Sequence, residues 1–177
     1  MRDMQNLPSV RPAFILVPHA TNPIPLGSAG FWYDGATLSI VAADGTVEVL
    51  TSTGMLDPVR LATAAALPSS TYSSATQKIT GAAPGALTVD GALVANSDRI
   101  LVKNEAGSIN GVYNVTQKGT GSLAFVLTRA PDFNASAEIR PGIRVATGPD
   151  GSANLNTEYK LTSAAPIVLD TTAITFA

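Results

Sequence analysis

The chain has 177 residues, 45% hydrophobic and 14% charged, with a net charge of −2. That length allows one good core or a small domain beside a medium one, and the charged fraction lies well below the usual ~25%. The basic residues form no cluster, which argues against nucleic acid and anionic membrane as partners, and the absence of cysteine excludes disulfides and thiolate metal sites.

Ala, Thr, Ser and Gly fill the space left by the missing charges, a composition suited to close-packed β-structure and subunit interfaces. Residues 1–28 hold five of the twelve prolines, at Pro8, Pro12, Pro18, Pro23 and Pro25. Proline lacks the N–H that a ladder needs and breaks a helix, so this segment is expected to be an extended arm, ordered where it lies against something else. Its apolar run Ala13 to Val17 is closed by Pro12 and Pro18 and is too short to span a membrane. The only histidine, His19, follows Pro18 in this arm. With no neighbour to hold its tautomer, it reads as a solvated or interface residue rather than a catalytic base.

Residues 29–57 read as a small β-meander, with strands 31–33, 37–42 and 46–50 separated by Asp34-Gly35 and Asp44-Gly45. So few strands are marginal in water alone, so the meander is expected to dock on a partner or on the rest of the chain. Trp32, the only tryptophan, is its anchor, for the core or for an interface.

From residue 58 the chain reads as a single all-β module. Val59 to Thr63 opens it as a strand, and the Ser/Thr-rich Ser69 to Thr76 reads as a loop. Strands are expected at 77–80, 86–89, 92–94, 99–103, 111–116, 123–129, 142–147, 157–162 and 173–176. Short strands with regular turn signals indicate a β-sandwich or barrel. Asp90-Gly91, Asn110-Gly111 and Asp150-Gly151 carry the strongest two-residue hairpin signals, because Asn or Asp followed by Gly suits positive φ. One helical turn is expected at Ala135 to Arg140, capped by Asn134.

No catalytic chemistry emerges, and no cofactor is expected. A metal site would have to be built almost wholly of carboxylates, yet no calcium loop of the D-x-[DN]-x-[DN]-G kind occurs, and the aspartates fall where turns are needed. A glycosidase requires a close carboxylate pair, and nothing singles one out among Asp98, Glu105, Asp132, Glu138 and Glu158. Asp98-Arg99 reads instead as a strand entry with a local charge partner. Gly119 to Phe125 has glycines but no phosphate-binding helix or lysine after them. The scattered aromatics, including Tyr72, Tyr113, Phe125, Phe133, Tyr159 and Phe176, sit mostly where core residues are expected. Some remain candidates for a sugar-binding face.

Several blocks occur together in order: VRLAT (59–63), LTVDGALVANSDRILVKNE (87–105), INGVYNV (109–115), LTRAPDFNASAEIRPGIRV (127–145) and TAITFA (172–177). In this order they resemble a β-module of tailed-bacteriophage virion proteins, found in tail fibre, baseplate-associated and head-fibre or decoration proteins. The upstream GFWYDGATLSIVAADGTVEVL (30–50) is similar to hairpins near the start of such fibre proteins. The resemblance implies a non-enzymatic structural subunit, assembled in the host cytoplasm into the virion. Its implied partners are other virion structural proteins and further copies of itself, a trimer being favoured. An arm followed by one module suits a fibre, collar or baseplate adaptor, or alternatively a capsid decoration or head-fibre protein. A host-glycan-binding module is the alternative of another class. The partner-binding candidates are Phe14, Ile15, Leu16, Ile24 and Trp32, of which the first four each contribute about 1.5–3 kcal/mol if fully buried, before ordering costs.

Overall fold

The computed structural model describes strands 30–33, 38–41 and 47–49 and, in full, residues 54–177. The chain divides into two compact units, Met1–Ser52 and Thr53–Ala177. In the first, β1 (Gly30–Tyr33), β2 (Leu38–Val41) and β3 (Val47–Val49) form an antiparallel meander in that order. Tyr33 pairs with Leu38 and Val41 with Val47; the turn candidates Asp34-Gly35 and Asp44-Gly45 lie outside the described residues. Trp32 lies in β1 opposite Ser39. Phe14, Ile15, Leu16 and Ile24, with the rest of the arm and His19, lie outside the described residues.

The second unit is built on a six-stranded mixed sheet. Its strands are β4 (Leu61–Ala62), β5 (Ser70–Ser73), β6 (Lys78–Gly81), β9 (Arg99–Val102), β10 (Gly111–Gln117) and β11 (Val126–Arg129). The order is β4-β9-β10-β11-β6-β5, with β4 parallel to β9 and the other pairs antiparallel. A hairpin of β7 (Thr88–Val89) and β8 (Ala92–Leu93), and a pair of β12 (Arg144–Ala146) and β13 (Glu158–Lys160), complete the strands. Among the described residues the only helical piece is a 3-10 turn at Gly107–Ile109. The protein is all-β in its described residues.

Residues 54–63 join the two larger pieces. Leu56 N–H donates to the Arg144 carbonyl at 2.8 Å and Val59 N–H to Ala146 at 2.9 Å, alongside β12. Four residues on, Thr63 N–H donates to Leu101 at 2.9 Å, alongside β9. The C-terminal segment then covers the far side of β13: Lys160 and Ala177 exchange backbone bonds of 2.7 and 2.9 Å.

Successive strand side chains point to opposite faces, and in β9 the apolar residues Ile100, Leu101 and Val102, which follow the half-buried Arg99, are buried on both. Leu101 enters one buried cluster with Ala62, Val112, Ala130, Phe133, Val145, Leu161 and Ile174. Ile100 and Val102 enter a second, with Leu61, Tyr113, Val115, Leu127, Leu87 and Phe125. The sheet therefore has apolar side chains buried on both faces, one toward β12 and the C-terminus, the other toward the β7–β8 hairpin.

Several sequence expectations are corrected. Ser69–Thr76 is not wholly loop, since Ser70–Ser73 forms β5. Thr71 and Tyr72 both suit a strand, and pairing with β6 fixes the conformation. Asp90-Gly91 is a two-residue turn, with φ of 49° and 81° between β7 and β8. Asn110-Gly111 is not: the β9–β10 connection runs through the 3-10 turn, and Gly111 already belongs to β10. Asp150-Gly151 lies in the longer connection between β12 and β13. At Ala135–Arg140 no helical turn forms: hydrogen-bonded turns stand in its place, Glu138 N–H donating to the Ala135 carbonyl at 3.0 Å and Ile139 N–H to Ser136 at 3.3 Å, and the cap is Glu138 rather than Asn134. Its carboxylate accepts from the N–H groups of Asn134 and Ala135 at 2.9 and 3.0 Å.

Candidate interaction surface

The polar side chains of the second unit mostly bind one another and the backbone. Arg129, on β11, has a fully buried side chain. Its guanidinium donates to the Asn110 carbonyl at 3.2 Å, the Ser108 carbonyl at 2.8 Å and the Tyr72 hydroxyl at 3.0 Å. It lies 3.6 Å from Asp170 and stacks over the rings of Tyr72 and Tyr113. Tyr72 in turn donates to Asp170 at 2.6 Å. Burial raises the pKa of both phenols, and for Tyr72 the Asp170 carboxylate raises it further. Arg129 is thus a structural cation whose fork is consumed by loop carbonyls.

The turn residue Asp90 has an equivalent role at the surface. Its carboxylate accepts from the N–H groups of Ser152, Ala153 and Asn154 at 3.1, 3.0 and 2.8 Å, and from Ser152 Oγ at 3.2 Å. Burial pushes the carboxyl up, but these donors outweigh it and hold the group below the ordinary aspartate value. The hairpin tip is thereby tied to the loop after β12. Nearby, Arg60 bridges Asp98 at 2.5 Å and Asp150 at 2.6 Å, which together raise its own pKa.

Each carboxylate weighed as a catalytic candidate has a structural partner. Asp98 accepts from Arg60 and Ala95 N–H, Glu105 from Leu67 N–H at 2.5 Å, Asp132 from Arg99 at 2.6 Å, and Glu158 from Arg144 at 2.6 Å. Glu138 caps the turn described above. Asp98 and Arg99 do not pair with each other, a correction to the local partnership read from the sequence. Adjacent strand residues face opposite ways, so each finds a remote partner. Among the described residues no group of three or more His, Cys, Asp or Glu side chains gathers as a metal centre. Tyr113, Phe125 and Phe133 are buried, and Tyr72, Tyr159 and Phe176 are half-buried against the core.

The features that face outward are of another kind. The sheet ends at β5, which pairs with β6 and with no other strand among the described residues. Thr71 and Ser73 on β5 and Thr80 on β6 are exposed, beside the half-buried Lys78 that pairs with Ser73. Beyond one end of β5 lies a cleft of about 270 Å³ lined by Pro68, Ser69, Ala82, Ala83, Pro84, Gly85, Ala86 and Phe125. A second cleft, of about 310 Å³, lies between Thr63–Leu67 and the β7–β8 tip. Its only carboxylate, Asp90, is already committed to backbone amides. Sequence reading missed the β5 edge because it assigned that segment to a loop. The available signal was the alternation of Thr71 and Ser73 with Tyr72.

No family model, no curated protein and no solved structure matches the chain.

Proposed function

We propose that the protein is a non-enzymatic structural subunit of a tailed-phage particle, acting by binding as a fibre, collar or baseplate adaptor. In this reading residues 58–177 are a sandwich-like or barrel-like body, and residues 1–28 are an extended arm. Phe14, Ile15, Leu16, Ile24 and Trp32 bury against neighbouring virion proteins, and copies associate, with a trimer favoured. Capsid decoration or head-fibre attachment is the same chemistry at another place on the particle.

One observation carries the reading. The five blocks that bear the resemblance converge on a single hydrogen-bonded body rather than on separate loops. VRLAT contains β4, parallel to β9 from the next block. INGVYNV begins β10, LTRAP completes β11, and TAITFA pairs back onto residues 160–162. Arg60, Asp98, Arg99, Arg129 and Asp132, all from these blocks, pair within the body.

The test is deletion of residues 1–28. The remaining chain is expected to keep the unfolding transition of its body and to lose incorporation into particles. An arm-deleted protein that loads at normal occupancy overturns the reading.

A further inference from the structure

The outward edge of β5 has a definite hydrogen-bonding phase. Gly81 N–H donates to the Phe125 carbonyl at 3.0 Å, and the Gln77 carbonyl accepts from Arg129 N–H at 3.0 Å. Odd-numbered residues of this stretch therefore turn their backbone groups toward β11, and even-numbered ones toward β5. Ala82 N–H, donating to the Ser69 carbonyl at 2.8 Å, agrees with this phase. Thr71 pairs with Thr80 and Ser73 with Lys78, whereas Ser70 and Tyr72 stand opposite Gly81 and Ile79. The N–H and C=O groups of Ser70 and Tyr72 thus point off the sheet, and no group among the described residues pairs with them.

Edge strands are ordinarily blunted by lysine, proline, a bulge or an inward charge. Ser70–Ser73 (STYS) carries none of these. The geometry points to this edge as a self-association surface, on which the β5 strand of a second copy adds antiparallel about a two-fold axis at Thr71. The two outward residues lie one on either side of Thr71, so the axis matches Ser70 with Tyr72 of the other copy twice over and satisfies all eight groups in four bonds. Thr71 faces its own symmetry mate as a non-hydrogen-bonded pair, and Ser69 faces Ser73, so no like charges meet. The next position would be Pro68, which has no N–H to donate, and the ladder ends there. A second copy is favoured because this strand is self-complementary in phase and in charge. The contact joins copies in pairs and by itself closes no trimer, and it stands independently of the proposed virion role.

The chain has no cysteine, so a single introduced thiol reports the contact cleanly. A non-hydrogen-bonded antiparallel pair brings Cα atoms to about 4.5 Å, within disulfide range. In the full-length protein, T71C is expected to form disulfide-linked dimers under mild oxidation. T80C, also exposed but one strand farther from the axis, should form several-fold fewer. Adding S70P to T71C removes an outward N–H while sparing the β5–β6 ladder, and should lower the dimer yield. T71C yielding no more dimer than T80C, or undiminished by S70P, overturns the inference. Sedimentation equilibrium gives a second reading without cysteine. The unmodified chain should show a concentration-dependent dimer that T71K, which sets like charges against each other at the axis, abolishes. A strict monomer at all soluble concentrations, or an oligomer unaffected by T71K, assigns the edge elsewhere and overturns it as well.

Discussion

Arg129 and Asp90 show how single residues hold this all-β unit together, and both make testable demands. Removing Arg129 leaves the Ser108 and Asn110 carbonyls without their buried donor and Asp170 without its cation. Arg129→Ala is therefore expected to cost about 3–5 kcal/mol, the range for breaking one side of a buried charged network. Denaturant unfolding measures it. Arg129→Lys should recover little, because an ammonium cannot reproduce the planar fork. For Asp90 the sign follows from its lowered pKa. A carboxylate held below its unfolded value, about 3.9, contributes stability above that pH and loses it as pH falls through the folded value. The wild type should exceed Asp90→Asn in stability near neutral pH, with the gap closing in acid below about pH 4. Unfolding curves at both ends of that range test it, and a gap unchanged in acid removes the charge from the explanation.

Among the elements, β10 is central: it pairs with β9 on one side and β11 on the other. Its first residue, Gly111, has a φ of 152°, and a Cβ there would come within 2.5 Å of Arg129 Nη1 and 2.7 Å of the Phe133 ring. The connection after β10 has a sharper requirement. Gly119 has a φ of 78°, and its Cβ would run into the backbone carbonyl of Gly85, so the backbone itself would have to shift. Gly121, two residues on, meets nothing within 4 Å. Gly119→Ala is expected to lower the melting temperature by several degrees, as strain of a few kcal/mol does in a chain of this size. Gly121→Ala should change it little. Similar losses at both positions would mean that this connection rearranges freely.

At the scale of the whole molecule, both apolar clusters draw their residues from positions 59 to 174. Thr53–Ala177 therefore contains its own core and its own closing strand pair, Lys160 with Ala177. A fragment of residues 53–177 is expected to unfold in one cooperative transition, seen as coincident near-ultraviolet and far-ultraviolet melting curves. Loss of the sharp transition in the fragment would show that residues 1–52 complete the fold. Within this body Leu127 is fully buried, and Leu127→Ala should cost about 2–5 kcal/mol through the cavity it leaves.

What the sequence by itself determined was local or periodic. The β-class follows from short apolar runs and turn residues. The Asp90-Gly91 hairpin follows from two adjacent residues suited to positive φ. Tertiary structure decided whatever depended on a distant partner. Asn110-Gly111 carries the same local signal as Asp90-Gly91. Yet Asn110 spends its side chain on Glu105 N–H and the Ile174 carbonyl, and the turn moves upstream into a 3-10 segment. Asp98 and Arg99 adjoin in sequence, but the pleat turns them apart, toward Arg60 and Asp132. Ser70–Ser73, by contrast, is one strand of a local hairpin, Ser73 pairing with Lys78 five positions on, and its outer edge is unpaired among the described residues. Short-range backbone preference is written in neighbouring residues. Pairing across 30 to 100 positions depends on which surfaces meet once both faces of the sheet are buried.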